Sequence, residues 1–249
     1  MACAAALALA IGLRVAWFHV SDRSPDELLY TQFGRGITEE GLGWFPHAVA
    51  QYTGDGDVEY PWVHRAGFLS LVALSQVVSG RHDPVAGELL SCATSIAMVA
   101  LTGMLGWNLL SPWCAVLAML FLATSPLDLA LARRAWQDDV VALATLLMVT
   151  LLLKALARPR VRRWRAAFFA VSALSLLIKE SALLPFGFGT LALAADAWLR
   201  TRNPWRTLVP LLWGVAATAC VAGAIVALAG GLEPLRELIR LTPAAWKPD

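Results

Sequence analysis

The chain has 249 residues, 58% of them hydrophobic and 15% charged, with a mean hydropathy of +0.62 and a formal net charge of +2. A soluble domain carries about 45–50% apolar and about 25% charged residues, so composition excludes an ordinary soluble globular protein. The small net charge says little, because in a membrane protein the placement of Lys and Arg matters more than their sum, and no nucleic-acid partner is expected.

The apolar residues come in blocks rather than at amphipathic spacing, which predicts an all-α polytopic membrane protein. Runs near the ~20 residues needed to cross ~30 Å of hydrocarbon are Ala2–Val20, Leu89–Leu110, Pro112–Ala132 (its last turn expected outside the membrane), Val140–Ala157 and Thr207–Ala229. The first of these has no Lys or Arg before Arg14, so it lacks the basic start of a secretory signal peptide. Ala66–Ser79 has the length of an interfacial or re-entrant helix rather than a crossing. The stretch Ala166–Leu199 is mostly apolar but holds Lys179-Glu180-Ser181 in its middle. As one helix it would reach ~50 Å, too long for a single crossing. Both flanks are basic, with Arg158, Arg160, Arg162, Arg163 and Arg165 before it and Arg200, Arg202 and Arg206 after it. By the positive-inside rule both flanks belong to the cytoplasm, so this stretch is predicted to be a hairpin with Lys179-Glu180 near its far tip.

Counting back from that basic loop places Arg133–Asp139 outside, Gly106–Ser111 inside and Arg81–Glu88 outside. If Ala66–Ser79 does not cross, Ser21–Arg65 is outside too. That stretch holds three Arg, no Lys and eight acidic residues, the reverse of a cytoplasmic loop. The expected architecture is about seven transmembrane helices in a single unit over residues 1–249, with residues 21–88 as a first outer loop carrying juxtamembrane helices. The cysteines Cys3, Cys92, Cys114 and Cys220 lie far apart inside apolar runs, without metal or redox spacing, and read as small packing residues.

Three charged clusters then share the outer face. Ser24-Pro25-Asp26-Glu27 is a helix-start signature, with an N-cap, a proline at N1 and an acid at N3. A carboxylate presented there can also serve as a general base, and the two roles are compatible. Arg133-Arg134-Ala-Trp-Gln-Asp138-Asp139 reads either as a surface anchor with an Arg134–Asp138 pair at i, i+4 or as a phosphate-holding site, since Arg suits bidentate contact with phosphate oxygens. Lys179 is either a snorkelling residue at the hairpin tip or part of that site. His64-Arg65, after Tyr60-Pro-Trp-Val, reads as an interfacial aromatic-basic anchor or a second phosphate contact.

The order of these features resembles a known family. One span is followed by an outer acidic pair (Asp26-Glu27) and a Pro-containing interfacial helix ending in Ser-Gly (Pro61–Gly80). Two spans come next, then Arg-Arg-Ala-x-x-Asp (Arg133–Asp138) and a hairpin carrying Lys-Glu-Ser-Ala-Leu-Leu-Pro (Lys179–Pro185). This resembles the GT-C glycosyltransferases, in the branch of protein O-mannosyltransferases and aminoarabinose transferases that uses polyprenyl-phosphate sugars. Order and topology, rather than any single motif, carry the likeness. Members of that family usually continue for several further helices, so this chain is expected to correspond to the shared module, as a fragment or a minimal form. Its interfacial segment reads Tyr-Pro-Trp-Val-His-Arg where the family more usually has His-Pro-Pro-Leu.

The resemblance implies a polyprenyl-phosphate-linked sugar as donor, a glycan, lipid or protein acceptor, and a bacterial plasma membrane with the active face outward. Asp26 would take the proton from an acceptor hydroxyl or amine, with Glu27, Asp138 and Asp139 as the other candidate catalytic carboxylates. Arg133, Arg134, Lys179, His64 and Arg65 would hold the donor phosphate, and a single displacement would invert the sugar. Some relatives bind a divalent metal; the four carboxylates are oxygen ligands in kind, but the sequence does not require a metal. Two rival readings remain open. One is a secondary transporter or channel using the same intramembrane charges, though no inverted repeat is visible; the other is a non-catalytic membrane subunit of a larger complex.

Overall fold

The computed structural model describes residues 1–16, 23–55 and 59–245, and all regular structure among them is helical. Twelve α-helices follow in order: α1 (Ala2–Ala16), α2 (Pro25–Glu40), α3 (Trp44–Asp55), α4 (Ala66–Ser79), α5 (Val85–Leu109), α6 (Pro112–Ala123), α7 (Pro126–Leu131), α8 (Asp138–Ala157), α9 (Arg162–Leu176), α10 (Leu183–Thr201), α11 (Pro204–Leu228) and α12 (Leu232–Ala245). Short 3₁₀ turns precede α3, α4 and α10. Four helices begin with proline directly after a Ser or Asn, at Ser24, Ser111, Ser125 and Asn203. Proline loses nothing at a position whose N–H has no intrahelical partner, and the preceding side chain caps the turn. The Asn203 Oδ1, for example, accepts from Trp205 N at 2.9 Å.

By length and composition four segments among the described residues can cross a membrane: α5, α8, Glu180–Thr201 and α11. α1, α6 and α9 are shorter, and Trp17–Val20, the expected end of the first span, lies outside the described residues. The expected crossing Pro112–Ala132 is broken. α6 ends at Ala123, and Ser125-Pro126 starts α7, because proline at 126 disfavours helical geometry at the residue before it. The expected hairpin is present as α9 and α10, with its turn at Lys179–Ala182. α4 occupies Ala66–Ser79 as anticipated, and its 14 residues are too few for an untilted crossing.

Three cores hold the helices. Phe68, Leu69 and Val72 of α4 pack with Tyr30 and Phe33 of α2, Phe45 of α3 and Leu238 of α12. Met148 and Leu151 of α8 pack with Phe168 and Phe169 of α9 and Phe186 and Leu193 of α10. Ala6 and Ala10 of α1 pack with Val99 of α5 and Met119 and Ala123 of α6. Small residues set the closest crossings, as expected where lipid supplies no hydrophobic drive between helices. A Cβ on Gly106 would lie 2.8 Å from the Ala115 Cα. Another close approach docks α4 onto the hairpin tip: Gly67 N donates to Leu177 O at 2.8 Å, and a Cβ on Gly67 would stand 2.9 Å from that oxygen. Large apolar side chains such as Trp113, Phe121, Phe188 and Leu212 face outward, as they do toward lipid.

Inside the third core lies a fully enclosed ion pair. Arg14 of α1 bonds Asp128 of α7, while its Nε donates to Ser95 Oγ at 2.6 Å and Nη1 to Ala10 O at 3.0 Å. Ser95 in turn donates to the same Asp128 oxygen at 2.7 Å. Breaking one side of a buried pair leaves an uncompensated charge, at a cost of about 3–5 kcal/mol. Arg14→Met should therefore lower the thermal unfolding midpoint of the detergent-solubilised protein sharply. Arg14→Met/Asp128→Leu should recover most of the loss. A single variant as stable as the parent would contradict the pairing.

Candidate functional site

The expected charged clusters meet at one end of the bundle, joined by side chains far apart in sequence. Ser24 and Glu27 form a reciprocal capping box at the start of α2, and Glu27 Oε2 accepts from Ser24 N at 2.7 Å. Glu27 is 1% exposed and also receives the loop before α8: Arg134 Nη1 donates to Oε2 at 3.1 Å and Ala135 N to Oε1 at 3.0 Å. Trp136 Nε1 adds a bond to Ser24 Oγ at 3.2 Å. The i, i+4 pairing of Arg134 with Asp138 is not formed, because residues 132–137 make turns rather than a helix and Arg134 swings to Glu27. Asp138 instead accepts from Lys179 Nζ at 2.7 Å.

The chain of contacts closes through the hairpin tip. Glu180, next to Lys179, pairs with Arg65 at 3.6 Å, and Arg65 Nη1 donates to the Tyr30 hydroxyl at 3.0 Å, one helical turn beyond Glu27. The result is a ring of polar groups running through α2, the loop before α8, the α8 start, the hairpin tip and the segment before α4. Arg65 also lies over the Trp62 ring at 4.0 Å, which fixes its guanidinium between an aromatic face and two oxygen partners. Burial pushes the Tyr30 phenol above its usual range; Arg65 opposes this, while Asp26 and Asp138 add to it.

Around this ring the remaining candidates take distinct places. Asp26 is exposed and makes no hydrogen bond or ion pair with the described residues. Arg133 donates to Leu129 O at 2.9 Å and has no carboxylate partner among them. Asp139 is buried, with one oxygen unpartnered among the described residues. His64 sits beside Tyr60 and Trp62, and burial followed by the adjacent Arg65 pushes its imidazole below the usual range. A neutral ring there is a hydrogen-bonding group rather than a cation. The described residues hold no group of three His, Cys, Asp or Glu able to share a metal, so Asp26, Glu27, Asp138 and Asp139 do not assemble into a joint ligand set.

Three groups escaped the sequence reading. Tyr30 could have been found from its spacing, four residues after Asp26 and on the face of α2 that carries Glu27. Arg23, which pairs with Glu88 at 2.9 Å and ties the start of α2 to α5, has no pattern that foretells its partner. The Arg14–Asp128 pair was signalled only by charge at the ends of apolar runs. Comparison with family models, curated proteins and solved structures gave no match.

Removing the Glu27 carboxylate should release the loop it holds. In Glu27→Ala, tryptic cleavage after Arg133 or Arg134 should quicken about tenfold or more, since proteolysis tracks local opening. Asp26→Ala should leave the rate unchanged, and equal rates in all three proteins would remove the clamp from consideration. A second expectation concerns pH. A histidine whose folded pKa is depressed contributes stability that is present above its unfolded pKa of about 6.5 and lost as pH falls. The unfolding midpoint should drop less for His64→Asn than for the parent between about pH 7 and about pH 5.

Proposed function

We propose that the chain is a membrane glycosyltransferase of the GT-C kind, moving a sugar from a polyprenyl-phosphate donor to an acceptor hydroxyl or amine at the outer face of a plasma membrane. The observation that carries this reading is the ring itself: Glu27–Arg134, Asp138–Lys179 and Glu180–Arg65–Tyr30 draw the separated clusters together beside an exposed Asp26 that pairs with none of the described residues. On this reading residues 1–249 form the GT-C-like module with about seven crossings, α1, α6 and α9 among them. Residues 21–88 form the first outer loop, with α4 in the interface.

The chemistry follows from what these groups can do. Asp26 accepts the acceptor's proton as its oxygen or nitrogen attacks the anomeric carbon. The bond from that carbon to the lipid phosphate breaks, and charge grows on the phosphate oxygens. Arg133, Lys179 and Arg65 are the cations available to stabilise it, with Arg134 holding the loop through Glu27; a well-placed donor is worth on the order of 3 kcal/mol. An apolar groove of about 580 Å³ between α10 and α11 begins at Leu183, just past Lys179, and suits the polyprenyl tail. The opposite end of α8 carries the arginine-rich loop. Its 20 residues span ~30 Å, the thickness of the hydrocarbon core, which supports placing the ring outside and the arginines inside.

A second reading, a transporter, draws on the enclosed Arg14–Asp128–Ser95 group, because intramembrane charges mark ion or substrate paths. One set of variants separates the two. Asp26→Asn should reduce sugar transfer by about 10²–10⁴ with donor binding retained, since it removes basicity and little else. Lys179→Met should reduce transfer and, where the contact exists in the ground state, donor binding as well. Arg14→Met/Asp128→Leu should transfer normally if it folds. The assay is transfer by membrane-inserted full chain from a panel of polyprenyl-phosphate sugars. Wild-type transfer by Asp26→Asn would leave Asp26 as a helix-start residue and send the search for the base elsewhere.

A further inference from the structure

At the end of the bundle away from the ring, the start of α9, the end of α10 and the start of α11 enclose a cavity of about 720 Å³. Six arginines line it, Arg160, Arg162, Arg163, Arg165, Arg200 and Arg206, against one carboxylate, Asp196. One oxygen of that carboxylate accepts from Arg200 Nε at 2.6 Å, its other oxygen is buried without a hydrogen-bond partner among the described residues, and Arg200 also reaches Leu156 O at 3.2 Å. The exposed side chains of Arg160, Arg162, Arg163 and Arg206 have neither a hydrogen bond nor an ion pair with any described residue, and the Arg165 Nε is buried without a partner among them. Arg163 leans on the Trp164 ring at 4.9 Å, which holds its guanidinium in place.

Positive charge beside a cytoplasmic loop is the ordinary topological signal, and by itself calls for no ligand. Two features go further here. The N-cap of α9, Val161, has no side-chain bond to the first turn, so backbone N–H groups and the positive end of the helix dipole stand at the arginine cluster. The floor is apolar: Phe169 and Trp213 stack with ring centres 6.1 Å apart, beside Pro210. Trp213 and Val209 remain open to the lipid side. A cavity with a cationic rim of exposed guanidinium groups, one buried unpartnered donor at Arg165 and a greasy floor matches a phosphate joined to an acyl chain better than it matches a phosphate in water.

We propose that this cavity binds the headgroup of an anionic phospholipid from the leaflet facing the arginine loop, at a site separate from the ring and independent of what the ring does. The guanidinium groups take the phosphate oxygens, and the Phe169–Trp213 floor takes the first part of the acyl chain. Bound there, the lipid would neutralise arginines that otherwise repel one another and would brace α9, α10 and α11 at their shared end.

The test is lipid binding to the delipidated full chain in neutral detergent, followed by native mass spectrometry. Phosphatidylglycerol should bind saturably at one molecule per chain, phosphatidylcholine at least tenfold more weakly, and inorganic phosphate should compete only at far higher concentration. Arg163→Gln/Arg206→Gln should weaken phosphatidylglycerol binding tenfold or more. Arg158→Gln/Arg202→Gln, which removes the same charge from the same face outside the cavity, should change it less than twofold. Arg206→Gln alone should give an intermediate loss, which keeps the test open should the double variant fold poorly. Equal losses in the two double variants would reduce the cavity to a general basic surface. Equal binding of the two lipids, or inorganic phosphate binding as tightly as lipid, would equally overturn the proposal.

Discussion

The ring depends on one buried carboxylate. Glu27 closes the cap of α2, receives the guanidinium of Arg134 and accepts the N–H of Ala135, so one side chain ties the start of α2 to the loop that launches α8. A carboxylate removed from water is costly unless its lone pairs are met, and here three donors meet them. With those two segments held together, Asp138 is presented to the hairpin tip, and Asp26 stays exposed without a hydrogen bond or ion pair among the described residues. Glu27 and Asp26 are thus neighbours in sequence with opposite environments, one buried and one exposed.

The docking of α4 supplies the other half of the ring. Because Gly67 has no side chain, the start of α4 reaches the backbone at Leu177, and the bond between Gly67 N and Leu177 O sets Arg65 opposite Glu180. The aromatic core of α2, α3, α4 and α12 then stiffens the layer that carries Arg65 and Tyr30. Charge is distributed along the bundle with a clear polarity. Paired acids and bases gather at one end of α8, while nearly uncompensated arginines gather at the other. The enclosed Arg14–Asp128 pair survives because Ser95 and backbone carbonyls complete its hydrogen bonding.

Much of this was legible in the residues. Ser24-Pro25 marked the start of α2 because a hydroxyl cap and a proline at N1 act locally, within one turn. The break at Lys179-Glu180 marked the hairpin because no single helix of that length fits a bilayer. The length of α4 was readable for the same reason. Pro112–Ala132 misled because hydropathy sums over a window and does not register that Ser125-Pro126 restarts a helix at mid-run. The helix α3 went unread because its mixed composition carries no strong period, and its place is set by Phe45 entering a core built from other helices.

What the sequence by itself determined is the class of the protein, the sites of its helix starts and turns, and which residue types carry charge near the ends of apolar runs. These follow from short-range sterics and from the free energy of placing each side chain in lipid or water. Only the tertiary structure decided which charges meet. Arg134 turned to Glu27 rather than to Asp138, Lys179 took Asp138, and Arg14 found Asp128 across 114 positions of chain. A carboxylate has no local preference among cations, so partners are chosen by whichever backbones packing brings within hydrogen-bond reach, and that is a property of the assembled bundle.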